Sequence, residues 1–258
     1  MWQDWFFRRR RKPPSTAAQD NVERARSGSR QRLTLRFHAE TAQTASRMQS
    51  SSADVDWSRQ PSIYKVYPST ARLPLTEQID CTFPDTLDVL QHWWPRPADT
   101  QPPAAWNVET LSRLCYYAYG PTAQQTLPGA TLTLRAAPSA GALYPAELYV
   151  AVRGATGARN GIYHYAPGEH ALELLRPADW LAWLAHAAAD LPAVAEADAV
   201  FAISSVWWRT AWKYGPRAYR YCLQDCGHLA GNVALVAAAL GYTAVSYTHL
   251  TLPTSDLV

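Results

Sequence analysis

The chain has 258 residues, 48% hydrophobic and 12% aromatic, with 17% charged. That composition excludes a disordered chain, and the length suits one full-sized domain with arms. No apolar run approaches bilayer length, and MWQDWFFRRRRK places its aromatics before its charges, the reverse of a secretory signal, so a cytoplasmic protein with no membrane contact is expected.

Met1 to about Ser52 is polar and basic. Residues 1–36 carry ten Lys/Arg against three Asp/Glu, a balance of +7. The rest carries fourteen against eighteen, a balance of −4, which together give the net +3. The basic character therefore belongs to an arm. Without apolar periodicity the arm is expected to be a solvated, disordered extension, with no nucleic acid as partner. Residues 53–245 form the expected domain, and 246–258 an anomalous tail.

Pro61–Pro68 (PSIYKVYP) is a short bounded aromatic segment. Pro95, Pro97, Pro102 and Pro103 mark a loop. A helix is expected from Asn107, a good N-cap, with Val108, Leu111, Leu114 and Ala118 on one face and Gly120-Pro121 as the stop. Arg135–Val152 (RAAPSAGALYPAELYVAV) passes from a charge through turn chemistry into a buried strand at Leu148–Val152. Its small residues suit either a plain turn or a seat for a flat anionic ligand. RGATGARNG, from Arg153, is a connector. Ile162–Tyr165 and Ala171–Leu175 flank APGEH as a hairpin. Ala178–Leu191 is expected as a helix, and Ala199–Trp208 as a strand. From Ala218 to Leu240, Cys222, Cys226, Leu229, Val233, Val236 and Leu240 make one apolar seam, with Arg220, Gln224, His228 and Asn232 as a polar stripe. The cysteines Cys81, Cys115, Cys222 and Cys226 form no CxxC pair and read as core thiols in a reducing compartment, with no metal site.

Only three of the 24 cationic Lys/Arg side chains are lysines: Lys12, Lys65 and Lys213. Lys213 lies in VWWRTAWKYGPRAYRY. Burial among Trp and Tyr, beside Arg209 and Arg217, would favour a neutral amine that can act as a base; a lysine snorkelling from an aromatic surface is the other reading.

PSAGALYP followed by ELYV closely resembles the signature of SagB-type dehydrogenases, a branch of the FMN-dependent nitroreductase superfamily. SSADVDWSRQPSIYKVYP (Ser51–Pro68), LPL (Leu73–Leu75), GIYHYAPGEHALELL (Gly161–Leu175) and WKYGPRAYRYCLQDCGHLAGN (Trp212–Asn232) agree in order and spacing. The resemblance covers roughly Ser51–Thr243. It implies an α+β fold with an antiparallel-rich central sheet flanked by helices, a long central dimer helix, a homodimer and FMN at its interface. It also implies oxidation of thiazoline or oxazoline rings in ribosomally made peptides, with the peptide as substrate and a cyclodehydratase complex as partner. By the same resemblance, Lys213-Tyr214 matches the catalytic pair of the azoline oxidases. Arg135 would meet the flavin phosphate or the electron-rich end of its ring. Ser139, Ala140 and Gly141 would offer N–H groups and a hydroxyl, and Pro138 and Leu143 would pack on the ring. Tyr144 is either a core aromatic or a further contact.

The match stops at LGYTA. The tail that follows resembles a string found at the ends of unrelated assembled sequences, so a truncated chain lacking part of the cofactor site is expected. Two rival functions remain: an NAD(P)H-dependent nitro or quinone reductase, and a non-enzymatic scaffold of a peptide-modifying complex.

Overall fold

The computed structural model describes residues 17–44, 55–76, 79, 83–91, 103–127 and 130–246. The chain divides into two units, Met1–Asp54 and Val55–Val258. In the first, α1 (Ala17–Thr41) is a 25-residue helix rich in Ala, Arg, Gln and Glu, all good helix formers. Its apolar residues gather on no one face, and Arg36 and Glu40 pair at 2.7 Å one turn apart. The disorder expected of the arm therefore does not hold for this stretch, because high local propensity supplies what periodicity does not. The rest of the arm up to Ser52, and the tail from Tyr247, lie outside the described residues apart from 42–44.

The second unit is α+β. Its centre is an antiparallel sheet of five strands: β1 (Ala71–Pro74), β4 (Ala146–Val152), β5 (Gly161–Ala166), β6 (Ala171–Pro177) and β7 (Ala199–Ser205), in the order β1-β6-β5-β4-β7. The strand expected at Leu148–Val152 is β4, and the APGEH hairpin joins β5 to β6, with Tyr165 opposite Leu172. A separate two-stranded sheet of β2 (Pro121–Leu127) and β3 (Ala130–Arg135) lies between β1 and β4 in the chain.

One face of the large sheet is apolar. Leu148, Val150 and Val152 of β4 join Tyr163, Tyr165 and Leu172 in the main core. The core is closed by α3 (Val108–Tyr119) through Leu111, Cys115 and Ala118, and by α7 (Ala218–Ala239) through Leu229 and Val233. Each fully buried Leu or Val here contributes about 1.5–3 kcal/mol. Asn107 caps α3 as expected: Oδ1 accepts the Thr110 N–H at 2.9 Å, and Gly120 closes the other end. The seam of α7 is buried from Cys222 to Leu240, except that Cys226 is half-buried. Burial pushes the Cys115 thiol up to about 12 and, with Cys222 and Asp225 nearby, the Cys226 thiol up to about 11, so both remain core thiols.

The opposite face carries a buried charged row. Glu147 on β4, His164 on β5 and Glu173 on β6 are at most 2% exposed. His164 Nε2 meets Glu147 at 2.7 Å and Nδ1 meets Glu173 at 2.8 Å. Arg209 pairs with Glu147 at one end, and Arg72 of β1 meets Glu173 at 3.1 Å at the other.

Two expected boundaries move. The helix at Ala178–Leu191 is shorter, α4 (Leu181–Ala187), because Ala178, Ala189 and Asp190 have left-handed backbones; a one-turn helix, α5 (Pro192–Ala195), follows. The strand begun at Ala199 stops at Ser205, and Trp208 opens α6 (Trp208–Tyr214). The short α2 (Thr86–Gln91) lies beside α7. Among the described residues no helix is long and apolar enough to cross a membrane.

Candidate active site

The site is built on the turn between β3 and β4. Ser139 is extended, and Ala140–Ala142 make one turn of 3-10 helix. Gly141, Ala142 and Tyr144 then take left-handed backbones, φ 66°, 52° and 46°. For a residue with a side chain such a backbone costs of order 1–2 kcal/mol, so the turn needs clamps. It has five. Ser139 Oγ donates to Asp225 at 2.6 Å and accepts the Tyr144 N–H at 2.9 Å. The Ala140 N–H also bonds Asp225. The Tyr144 hydroxyl accepts the Arg135 N–H at 2.9 Å. Arg209 Nη1 donates to the Tyr144 carbonyl at 3.0 Å.

Across from the turn stands the last turn of α6. A Cβ on Gly141 would lie 2.7 Å from Tyr214 Oη and 3.3 Å from Lys213 Nζ. Only a glycine permits that approach. Lys213 Nζ lies over the faces of Trp57 and Tyr214, 5.4 Å from each ring centre. Tyr214 packs edge-on to Tyr221 at 4.8 Å. Burial, then the neighbouring Tyr221 and Asp225, hold its phenol above the ordinary tyrosine value, so it keeps its proton at neutral pH. The structure thus brings Gly141, Lys213 and Tyr214 together from positions 72 and 73 residues apart in sequence. The two arginines expected to press on Lys213 are engaged elsewhere: Arg209 with Glu147 and the Ser62 carbonyl (2.8 Å), Arg217 with the Tyr221 hydroxyl (2.7 Å).

The other expected contacts divide. Pro138 and Gly141 are exposed, whereas Leu143 is buried, 4% exposed, and turned into the protein. The Ser139 hydroxyl proton and the Ala140 N–H both go to Asp225. Arg135 is buried among Tyr64, Tyr119 and Tyr144, its guanidinium 4.6–5.1 Å from their ring centres. Its Nη2 donates to the Ile63 carbonyl at 2.9 Å, and its buried Nε has no acceptor among the described residues. Tyr144 is a core aromatic. Sequence reasoning passed over Asp225, although it sits between Cys222 and Leu229 on the buried side of α7, where a carboxylate has no place unless something binds it. It also passed over Trp57, and it gave Arg209 only the role of pressing on Lys213.

Residues 99–252 match the model of the Nitroreductase family, more than half of the chain. The chain belongs to that family. A protein of Methanocaldococcus jannaschii described as a nitroreductase is 37% identical over 140 residues, 54% of this chain and 67% of that one. The trifolitoxin-processing protein TfxB of Rhizobium leguminosarum bv. trifolii is 35% identical over 112 residues, 42% of this chain and 30% of its own. A solved structure from Anabaena variabilis ATCC 29413, described as a nitroreductase, superposes with a TM-score of 0.63 at 33% identity, over 79% of this chain and 38% of that one. The chain thus spans well under half of the Anabaena chain and of TfxB. The sheet and helices described above are the nitroreductase fold. The nitroreductase segment contains the turn, Lys213-Tyr214 and Asp225, while Trp57 and Arg72 lie before it.

Proposed function

We propose that this nitroreductase-family chain is an FMN-dependent oxidoreductase that oxidises thiazoline or oxazoline rings in peptides, with Lys213 and Tyr214 as its catalytic pair. The observation that carries the reading is the contact of Gly141 with Tyr214 and Lys213. It joins two of the segments that carry the SagB resemblance, the signature turn and the one that holds Lys213-Tyr214. The residues present fit a flavin in two respects. Gly141 and Pro138 leave the outer edge of the turn open, and the unsatisfied Nε of Arg135 is a buried donor that an anionic or carbonyl oxygen would satisfy. Gly141 and Tyr214 are in contact, so no ring fits between them, and the shared outer edge is the face available. The turn's polar groups act mainly on Asp225, so the turn would offer shape more than hydrogen bonds.

In this reading FMN, when bound, supplies the two-electron acceptor for the ring's hydride. Lys213 Nζ takes the acidic ring proton from the carbon beside the carbonyl. Tyr214, protonated at neutral pH, donates a hydrogen bond that orients the ring. The ring loses two electrons and two protons in all, one proton to Lys213 and one with the hydride. A homodimer through α7, a peptide substrate and a cyclodehydratase complex belong to the same reading, and the similarity to a processing protein, TfxB, supports it.

The full-length protein, once purified, is expected to be yellow, to release FMN on denaturation and to convert a thiazoline peptide to the thiazole. A colourless protein that gains nothing from added FMN would sink the reading. The Methanocaldococcus relative favours a second one, reduction of nitroaromatics or quinones by NAD(P)H. Flavin reduction on adding NAD(P)H, without azoline turnover, would select it.

A further inference from the structure

We propose that Asp225 is the positioning residue of this site: its carboxylate ties the Pro138–Tyr144 turn to α7 and so fixes Gly141 against Lys213 and Tyr214. The inference deepens the proposed function and rests on it only in treating that contact as the working site.

Asp225 is 6% exposed and faces inward from an otherwise apolar seam. A carboxylate buried there is costly, and an apolar side chain of similar size would stabilise the helix as well or better. What Asp225 adds is two donors from one turn, Ser139 Oγ at 2.6 Å and the Ala140 N–H. The Ser139 hydroxyl has one proton. Giving it to Asp225 orients the oxygen to accept the Tyr144 N–H, which closes the turn on itself. Three left-handed residues, Gly141, Ala142 and Tyr144, lie within that closed loop. Such a backbone persists only where its surroundings over-determine it, and Asp225 ties it to the helix that follows Lys213-Tyr214.

The same carboxylate also acts on the pair. Its charge raises the phenols of Tyr214 and Tyr144 alongside the larger effect of burial. The groups that bear on Asp225 itself are Ser139 and the Ala140 N–H from the turn and His228 from its own helix, which lower its carboxyl against a burial effect that raises it.

The test uses Asp225→Asn, which keeps shape but removes charge, and Ser139→Ala, which removes the link but keeps the charge. Three quantities are read on the full chain. Hydrogen exchange of residues 137–145 is expected to speed up about tenfold or more in both variants, as loss of a charged hydrogen bond implies, with the β5–β6 hairpin unchanged. The FMN dissociation constant is expected to rise about tenfold in both. The phenolate absorbance of Tyr214, isolated by difference against Tyr214→Phe, is expected to appear at lower pH in Asp225→Asn. Exchange that is unchanged, or faster throughout the protein, overturns the proposal, as does a Tyr214 titration that does not move. If the unmutated protein binds no FMN, the proposed function falls, and exchange with the Tyr214 titration still decides the role of Asp225.

Discussion

Gly141 and Tyr214 touch: a methyl group added to Gly141 would stand 2.7 Å from the tyrosine hydroxyl. The small residue of the signature turn is therefore matched to a particular partner on α6. The turn's conformation and the position of the Lys-Tyr pair are one geometric fact.

Gly141→Ala should destabilise the protein by about 1–3 kcal/mol, since it adds a Cβ at positive φ and a clash. Tyr214→Phe removes the clashing oxygen, and the next ring atom is 3.6 Å away. The double variant should recover about 1 kcal/mol of the loss. Urea denaturation of the four proteins gives the coupling directly. Effects that add to within about 0.5 kcal/mol would show that the contact does not form in solution.

Lys213→Ala should retain FMN and lose azoline turnover by about 10²- to 10⁴-fold, the usual cost of removing a general base. Lys213→Arg should be equally inactive, because a guanidinium does not accept the proton. Tyr214→Phe should also keep FMN, because its hydroxyl faces Gly141 at the catalytic edge. Single-turnover assays with a thiazoline peptide check all three. Near-normal turnover in Lys213→Ala assigns the base elsewhere.

Asn107→Ala should cost about 1 kcal/mol, because it leaves the Thr110 N–H of α3 without its side-chain acceptor. Thermal unfolding measures it, with Asn107→Asp as the control that restores an oxygen. A loss in both variants would trace the effect to something other than the cap.

How much of this was legible differed by element. α3 was readable to within a residue or so, because a cap, an apolar stripe and a stop agree, and α7 because its apolar seam runs unbroken from Cys222 to Leu240. α4 was not, because an Ala-rich run says helix while three left-handed residues, set by the turns around it, shorten it. The β2–β3 hairpin was missed, although Leu132 and Leu134 alternate with threonines, a strand period. At the site, the turn and Lys213-Tyr214 could each be named, but their contact belongs to tertiary structure. Asp225 was hidden by the apolar pattern around it, which draws attention to Cys222, Cys226 and Leu229. Its one local signal is an acid at a core position of a helix. The row of Glu147, His164 and Glu173 was hidden in the same way, since each strand contributes a single member and only the register aligns them.

That row supplies the last prediction. His164 is fully buried between two carboxylates, and its removal leaves them facing each other with only Arg209 and Arg72 at the ends. His164→Leu should cost about 3–5 kcal/mol at neutral pH, the usual price of breaking a buried pair. The pH dependence has a definite sign. Burial alone would raise the Glu147 carboxyl, but the His164 hydrogen bond and the Arg209 charge outweigh it and hold it below the usual carboxylate range. A carboxyl lowered on folding adds stability above its unfolded value and loses it as pH falls through the folded one. With His164 gone, burial is opposed by Arg209 alone and the carboxyl moves up, so the variant loses less on acidification. The stability gap between the two proteins should therefore be present in full at neutral pH and narrow as pH falls below about 4, where unfolded carboxylates titrate. Guanidinium denaturation at several pH values measures the gap. A gap that stays constant or widens with acid would mean that His164 does not govern the Glu147 carboxyl.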